Sequence, residues 1–269
     1  MLRPDHTVAA VSFLNARPLI DGLEREPGIS VITKVPSRLL QTLTAKQARI
    51  ALCPIIDFQT APTELCIVPV GAIGSDGPTH TVRVFSRVPI REIERVHTDG
   101  DSHTSVALLE IVFDALTGRR PELSTLVKKS PRGADPPESV LLIGDKVVRD
   151  EPTVSLYPYQ LDLGEAWKSL SGLPFVFATW LARAGDDLGE LPSTLRRYRE
   201  RNMLRIPEIV ASHAEGWPRD LATRYLETIL HYEIGAPELE SIELFWGRCH
   251  ALGLFSELRP MRLYRNSQF

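Results

Sequence analysis

The sequence predicts an α/β fold built on parallel sheets, and three observations support this class. The first 90 of the 269 residues contain short apolar runs of β type separated by turn signals. A stretch with helical periodicity lies between two of these runs, and strand, helix, strand is the pattern of a parallel βαβ unit. A second unit of the same kind follows, before a final third that is helical throughout.

Strands dominate the first part of the chain. They are predicted at VAAVSFL (8–14), ISVITKV (29–35), RIALCPII (49–56), ELCIVPVGAI (64–73) and HTVRVFS (80–86). Between the second and third runs, Leu39, Leu40 and Leu43 recur at near-helical spacing. Ser37 precedes them and is a candidate for the N-cap of that helix.

The second unit begins with a strand in ERVHTD (94–99). A polar turn leads to VALLEIVFDALTG (106–118), a helix that is apolar on most faces, so we expect it to be packed on both sides. Gly118 is a candidate for its C-cap. The run SVLLIGD (139–145) is typical of a buried parallel strand that ends in a polar residue.

The remaining elements are simpler. The segment with DLGEAW (162–167) is predicted to be a loop in which Asp162 and Glu165 form a solvated pair, although such a pair could also serve acid–base chemistry. PFVFATWLARA leads into the last third. Amphipathic stretches near 192–215, 218–234 and 237–253 are interpreted as a covering layer and not as a site.

Composition excludes several classes of function. Lys and Arg number 31 against 34 Asp and Glu, a net charge of −3 without a basic stripe, which argues against nucleic acid as a partner. No window approaches the roughly 20 apolar residues of a membrane-spanning helix. The N-terminus lacks a secretory pattern, so a cytoplasmic protein is expected. Three widely spaced cysteines indicate neither disulfides nor a zinc site.

Common catalytic and cofactor motifs are absent, including GxGxxG, the P-loop, HExxH and GxSxG. The turn before the second-unit helix is more informative, because Ser102, Thr104 and Ser105 stand where a helix N-terminus can bind a carboxylate or phosphate. Plain capping by Ser102 or Thr104 would also explain these residues. A nucleophilic triad within this turn is disfavoured, because neighbouring side chains point apart.

Three further residues are ambiguous on spacing alone. Asn15 follows the first strand, at the edge where open α/β folds bind ligands, but Asn-Ala-Arg-Pro is also a common type of turn. His80 is a candidate general base, although a lone histidine is more often a bystander. Asp145 ends a predicted strand and would either contact a ligand or cap the following segment.

Taken in order, the motifs resemble a known family. SFLNARPL, VPSRLLQTL with RIALCPI, IGSDGPTHTVRVFS, DGDSHTSVALL, LLIGD, and DLGEAW with PFVFATW are similar to the chorismate dehydratases of menaquinone biosynthesis by the futalosine pathway. That family is related to type II periplasmic binding proteins. The match runs from residue 8 to about 182 and continues more loosely through the helical third.

The resemblance implies a two-lobed, periplasmic-binding-protein-like type II fold with the ligand cleft between the lobes. Lobe one would comprise residues 1–86 and 176–269, and lobe two residues 87–175. It also implies a small-molecule substrate, the dicarboxylate chorismate, which loses water to give 3-[(1-carboxyvinyl)oxy]benzoate. Aromatisation drives this reaction, so neither cofactor nor metal is expected.

The resemblance also assigns residue roles. Asn15 stands at the asparagine of the family's SYLN motif and Thr81 at the hydroxyl residue of its GPVxSV motif, so both are expected to orient the reacting ring and assist departure of the hydroxyl. Phe13 replaces the usual Tyr, and Thr81 replaces the usual Ser, which adds a methyl group that restricts the rotamer.

The substrate carboxylates have predicted partners too. Ser102, Thr104 and Ser105 would hold one carboxylate, and Ser37 the other. Two candidates for the general base remain, His80 and a carboxylate of the substrate itself, and the substrate carboxylate is preferred. The alternatives are a dihydroxynaphthoate synthase of the same pathway, a non-catalytic small-anion-binding protein of the same fold, and a ligand-sensing module.

Overall fold

The computed structural model describes residues 6–98, 100–126, 136–149 and 156–265. Strands alternate with helices through the first two thirds of the chain. The strands are β1 (His6–Val11), β2 (Ile29–Lys34), β3 (Ile50–Pro54), β4 (Leu65–Ser75), β5 (Val82–Ser86), β6 (Arg95–Thr98), β7 (Glu122–Thr125), β8 (Ser139–Ile143), β9 (Tyr159–Asp162), β10 (Phe175–Arg183) and β11 (Leu230–His231).

Helices cover both sheets and form most of the last third. They are α1 (Arg17–Ile20), α2 (Leu39–Thr44), α3 (Asp57–Thr60), α4 (His103–Thr117), α5 (Lys146–Arg149), α6 (Leu163–Ser171), α7 (Leu191–Met203), α8 (Ile206–His213), α9 (Arg219–Arg224) and α10 (Ala236–Ala251). A π-helical turn, Tyr225–Ile229, follows α9 directly.

The first sheet has six strands in the order β11-β4-β10-β3-β1-β2. β1 runs parallel to both β2 and β3, as the βαβ pattern predicts. β10 is antiparallel to β3 and β4, and its residues Phe175–Ala182 are buried. The strand that returns to this sheet late in the chain therefore lies at its centre, and we call this part of the molecule the first lobe.

The second sheet has five strands in the order β7-β6-β8-β5-β9, and we call it the second lobe. β6 is parallel to β7 and β8, while β5 is antiparallel to β8 and β9. The chain crosses between the sheets twice, after β4 and again between α6 and β10. The predicted α/β fold with two lobes agrees with these two sheets, and the insertion of one lobe in the other stays a proposal.

One detail of the predicted division differs from the sheet pairing. The sequence prediction places residues 82–86 in lobe one, but β5 pairs within the second sheet, from Val82 opposite Ile143 to Ser86 opposite Ser139. We therefore propose that the lobes follow the sheets, with the crossings at 76–81 and 172–174. The outer limits of the lobes stay a prediction.

The predicted helix of the second unit is confirmed as α4, which begins at His103 and not at residue 106. Gly118 ends it in the left-handed conformation, at φ 72°, which glycine adopts without the steric cost of a Cβ. α4 packs against α6, α10 and β10, so it is buried on more than one side. Because α10 and β10 belong to the first lobe, α4 connects the two lobes.

Two expectations about local structure are wrong. The DLGEAW segment is not a loop, since it forms the end of β9 and the start of α6, with Asp162 as N-cap and Gly172 as C-cap. The last third is not wholly helical, because the stretch 218–234 ends in β11, which pairs with β4. Within the described ranges, no helix has the length and apolar character needed to cross a bilayer.

Candidate active site

A small cavity with a volume of about 40 Å³ lies between the lobes and is lined by residues of both. Most of its wall is apolar, with Phe13, Phe177 and Ile143 among the larger side chains. The polar residues that line it are Asn15, Thr79, Thr81, Ser102, Ser105 and Tyr225. Among the described lining residues there is no Asp, Glu, His, Lys or Arg, so the polar groups offered are neutral.

Asn15 lies in this wall, in a 3-10 turn (Leu14–Ala16) that follows β1. α1 then begins at Arg17, with Pro18 in its first turn. The Asn15 Oδ1 atom is buried and has no hydrogen-bond partner in the described part of the chain. Because a buried acceptor without a partner costs free energy, this atom is suited to receive a hydrogen bond from a ligand.

Thr81 lies beside Asn15 in the wall and is 2% exposed. Its hydroxyl is 2.8 Å from the hydroxyl of Tyr225, the first residue of the π-helical turn. Burial raises the pKa of Tyr225, and this effect outweighs the interaction with the Thr81 hydroxyl, which lowers it. The phenol is therefore protonated at neutral pH and acts as a hydrogen-bond partner, not as a base.

Tyr225 and Leu230 also correct the interpretation of the last third as a covering layer only, since both line the cavity. In the sequence Tyr225 is one aromatic residue within an amphipathic stretch, and its spacing carries no signal of a site. A π-helical turn, which often occurs at functional sites, is visible only in the structure.

The N-terminus of α4 reaches the cavity from the second lobe. Ser102 is its N-cap, and the Ser102 Oγ accepts from the Ser105 backbone N–H at 3.4 Å and from the Ser105 hydroxyl at 3.1 Å. Ser102 and Ser105 thus take part in capping α4 and also line the cavity. Thr104 points elsewhere, because its hydroxyl oxygen accepts from the backbone N–H of Ile56 in the first lobe at 3.3 Å.

Ser37 is not the N-cap of α2, contrary to the expectation. It lies within a 3-10 turn (Pro36–Arg38), and Arg38 precedes α2 without a side-chain cap. The Ser37 backbone N–H donates to the Asp101 carbonyl at 3.0 Å, which joins the lobes. Its neighbour Pro36, not Ser37, lines the cavity.

Asp145 likewise acts between the lobes. Both of its carboxylate oxygens lie 3.3 Å from the backbone N–H of Leu14, and Arg149 is 3.9 Å away. Burial raises the pKa of Asp145, against the Leu14 hydrogen bond and the nearby Arg149. The carboxylate therefore caps the turn that carries Asn15, across the cleft, and does not cap the segment that follows it.

His80 is not among the residues that line the cavity. Its backbone has a positive φ of 62°, and its N–H donates to Asp162 at 2.8 Å. Burial, followed by the charge of Arg83, lowers the pKa of His80. The imidazole is therefore neutral near pH 7. The backbone of His80, and not its ring, is held by the hydrogen bond to Asp162.

Asp162 organises the crossing between β4 and β5. Its carboxylate accepts from the backbone N–H groups of Thr79 at 3.0 Å and His80 at 2.8 Å. It also accepts from Gly164 at 3.0 Å and Glu165 at 3.2 Å, as the α6 N-cap. The predicted solvated pair is thus wrong for Asp162, which is 6% exposed, whereas Glu165 does face solvent.

Close packing of the backbone accompanies this network. A Cβ at Gly164 would lie 2.4 Å from the Thr79 methyl group and 2.6 Å from the Gly77 carbonyl oxygen. Only glycine fits at this crossing, because both neighbours are themselves held in place. α6 therefore packs closely against the segment that carries Thr81 and holds it in place.

One ion pair joins the lobes at the start of α4. The His103 Nδ1 donates to the Asp57 carboxylate at 2.7 Å, and the Asp57 side chain is fully buried. The hydrogen bond to Asp57 raises the pKa of His103, against its partial burial. Burial raises the pKa of Asp57, against the hydrogen bond from His103.

We expect this pair to make stability depend on pH. A group whose folded pKa is raised stabilises the fold below its unfolded pKa, and this stabilisation is lost as the pH rises through the folded pKa. The melting temperature of the wild type should therefore exceed that of His103→Gln at pH about 6, and the difference should shrink as the pH is raised to about 8.5. The exposed His231→Gln is the control. A difference that is constant over this range would contradict the prediction.

Comparisons with known proteins agree with the sequence motifs. A family model described as menaquinone biosynthesis matches residues 6–251. A chorismate dehydratase of Thermus thermophilus is 27% identical over 271 residues, covering 94% of this chain and 97% of the relative. The resemblance stated from the motifs is thereby confirmed.

Solved structures support the fold. A Candida albicans protein, described as exhibiting the generic periplasmic binding protein fold, has a TM-score of 0.67 at 10% identity and covers 98% of this chain and 99% of its own. The periplasmic aliphatic sulphonate binding protein of Escherichia coli has a TM-score of 0.61 at 15% identity, with 94% of each chain covered. These likenesses confirm the predicted fold class. By the match over residues 6–251, the chain belongs to the menaquinone biosynthesis family.

Proposed function

We propose that the protein converts chorismate to 3-[(1-carboxyvinyl)oxy]benzoate and water. The Thermus relative that bears the name chorismate dehydratase aligns with nearly the whole of both chains, which supports this activity. The observation that carries the proposal is the cavity, where Asn15 Oδ1 lacks a partner among the described residues and stands near the hydroxyl of Thr81. In this proposal the protein is a cytoplasmic carbon–oxygen lyase of the hydro-lyase class that needs no cofactor.

The chemistry requires two bonds to break in the substrate. The ring C3–H bond gives up its proton, the C4–O bond breaks with departure of the hydroxyl, and together they leave as water. Neutral donors are adequate to bind the two carboxylates, because a helix N-terminus concentrates N–H dipoles. We assign Ser102 and Ser105 at the start of α4 to one carboxylate, since both line the cavity.

The other residues predicted to bind the substrate are placed less directly at the cavity than Ser102 and Ser105. Thr104 already receives the Ile56 N–H, and Ser37 gives its own N–H to Asp101, so Ser37 would contribute its hydroxyl. Asp145 acts through the turn that carries Asn15. We therefore assign Thr104 and Asp145 to closing the lobes over the substrate, which excludes water and fixes geometry.

The neutral lining favours a substrate carboxylate as the base. Among the described lining residues none has a carboxylate or an imidazole, and the Tyr225 phenol is held protonated by burial. A carboxylate on the substrate side chain supplies a base in the same molecule, at a fixed distance from the ring proton. His80 is the alternative base.

Replacing His80 separates these two assignments. We expect His80→Ala to lower kcat by only about threefold, because the ring does not line the cavity and the change retains the backbone N–H bonded to Asp162. The measurement is steady-state turnover of chorismate, with His231→Ala as an exposed control. A loss of about a thousandfold in kcat would instead identify His80 as the base.

The activity itself is tested with purified protein and chorismate. Absorbance and mass spectrometry would follow formation of the aromatic product, and calorimetry would follow binding. Turnover to the carboxyvinyloxybenzoate supports the dehydratase. Tight binding without turnover would support a small-anion-binding protein, and absence of both would leave dihydroxynaphthoate synthesis as the activity to test within the family.

A further inference from the structure

Tyr225 is a polar residue of the cavity wall to which the motifs give no role. It is 1% exposed, and its hydroxyl lies 2.8 Å from the Thr81 hydroxyl. Asn15 lines the same cavity. Three polar residues from three separate parts of the chain therefore meet in one wall, and two of them are joined by a hydrogen bond.

The direction of this hydrogen bond follows from counting hydrogens. The buried phenol is protonated, so it has one hydrogen to donate. Asn15 Oδ1 has no partner among the described residues, so the phenol does not donate to Asn15. The phenol hydrogen is then directed to the Thr81 oxygen, 2.8 Å away.

This direction leaves two groups unused on the cavity side. Asn15 Oδ1 is available as an acceptor, because it is buried and has no partner within the described part of the chain. The Thr81 hydroxyl hydrogen is available as a donor, because the Thr81 oxygen receives the phenol hydrogen. An acceptor beside a donor is complementary to an alcohol, which both donates and accepts.

We infer that Tyr225 is a positioning residue that orients the Thr81 hydroxyl as donor, beside the Asn15 Oδ1 acceptor, toward an alcohol of the substrate. This inference rests on the proposed function, in which that alcohol is the C4 hydroxyl of chorismate. Donation from Thr81 to the leaving oxygen would stabilise the charge that develops as the C4–O bond breaks.

The ring of Tyr225 is held independently of its hydroxyl. It stacks on Trp217 with centroids 4.9 Å apart and an interplanar angle of 25°. Phenylalanine can retain this stacking, so Tyr225→Phe removes the hydroxyl without removing the aromatic packing. The π-helical turn that begins at Tyr225 supplies the local backbone geometry for the ring.

A double-mutant cycle tests the role. We expect Tyr225→Phe to lower kcat for chorismate about tenfold to a hundredfold with KM changed by less than about threefold. In a Thr81→Val background the same change should cost less than about twofold, because its effect acts through the Thr81 hydroxyl. In a Thr81→Ser background the full loss should return. Where steady-state turnover is too slow, the cycle is read from the rate of a single turnover with enzyme in excess over chorismate.

Tyr232→Phe is the matched control. The Tyr232 hydroxyl is also buried, has no partner among the described residues and does not line the cavity, so its removal should leave kcat unchanged. Equal losses from Tyr225→Phe in the wild-type and Thr81→Val backgrounds, or no loss in the wild-type background, would overturn the inference. The Thr81→Val change replaces the hydroxyl by a methyl group of similar size, so a purely structural effect of Tyr225→Phe would appear in both backgrounds.

A measurement that does not depend on catalysis, the NMR spectrum of the protein, separates the inference about Tyr225 from the proposed function. The side-chain methyl resonance of Thr81, assigned with Thr81→Ser, should shift in Tyr225→Phe and stay in place in Tyr232→Phe. An unmoved resonance would overturn the hydrogen bond between Tyr225 and Thr81 whatever the substrate. A wild type that leaves chorismate unchanged would refute the proposed function, whereas active wild type with unaffected Tyr225→Phe would refute the inference alone.

Discussion

Asn15→Ala should lower kcat/KM for chorismate by about a hundredfold or more, because it removes an acceptor in the cavity wall that has no partner among the described residues. The fold should be little affected, since the 3-10 turn is capped by Asp145 at Leu14 and not by Asn15.

The measurement is steady-state kinetics together with a thermal melt. Ser12→Ala is the control, because Ser12 is exposed in the same connection after β1 and outside the cavity wall. A kcat/KM within about threefold of wild type would remove Asn15 from the reaction. A large fall in melting temperature for Asn15→Ala would instead assign its effect to folding.

Asp162→Ala should destabilise the protein by about 3–5 kcal/mol, the range for removing one partner from a buried charged network. The carboxylate accepts from backbone N–H groups on both sides of the crossing, at Thr79, His80 and Gly164. Alanine would leave these donors buried without a partner, which costs more than the lost attraction itself. Because the segment also carries Thr81, turnover should fall together with stability.

Urea unfolding monitored by tryptophan fluorescence checks this change in the free energy of unfolding. Asp162→Asn retains one acceptor oxygen and should lie between the wild type and the alanine variant. Glu165→Ala, in the first turn of α6 and exposed, should change stability by less than about 0.5 kcal/mol. Equal stabilities for the two alanine variants would contradict the role assigned to Asp162.

Much of the site follows from residues that are local in sequence. Asn15 comes soon after a strand, and Ser102 directly before a helix, so their backbone positions are predictable from capping and from the edge of a parallel sheet. Thr81 adjoins a strand next to a Gly-Pro turn. All three line the cavity in the structure. Short-range rules suffice for them, because the elements concerned are themselves defined by short-range patterns.

Residues whose partners are distant in sequence could not be predicted in this way. In the sequence, Asp162 is one of two acidic residues in a polar turn. The residues that donate hydrogen bonds to it across the fold are 82 and 83 positions away. Tyr225 lies 144 residues from Thr81. His103 and Asp57 are separated by 46 residues, and nothing in their local spacing indicates a pair between lobes.

The sequence by itself determined most of the strands and helices, because hydrophobic periodicity and turn chemistry act over a few residues. The family, and with it the roles expected of Asn15 and Thr81, followed from the resemblance of the ordered motifs. Only the tertiary structure decided the direction in which those groups donate, since that depends on the burial of Tyr225 and on the absence of a partner for Asn15 Oδ1 among the described residues. Burial and hydrogen-bond saturation arise when distant segments pack together, and no local pattern specifies them.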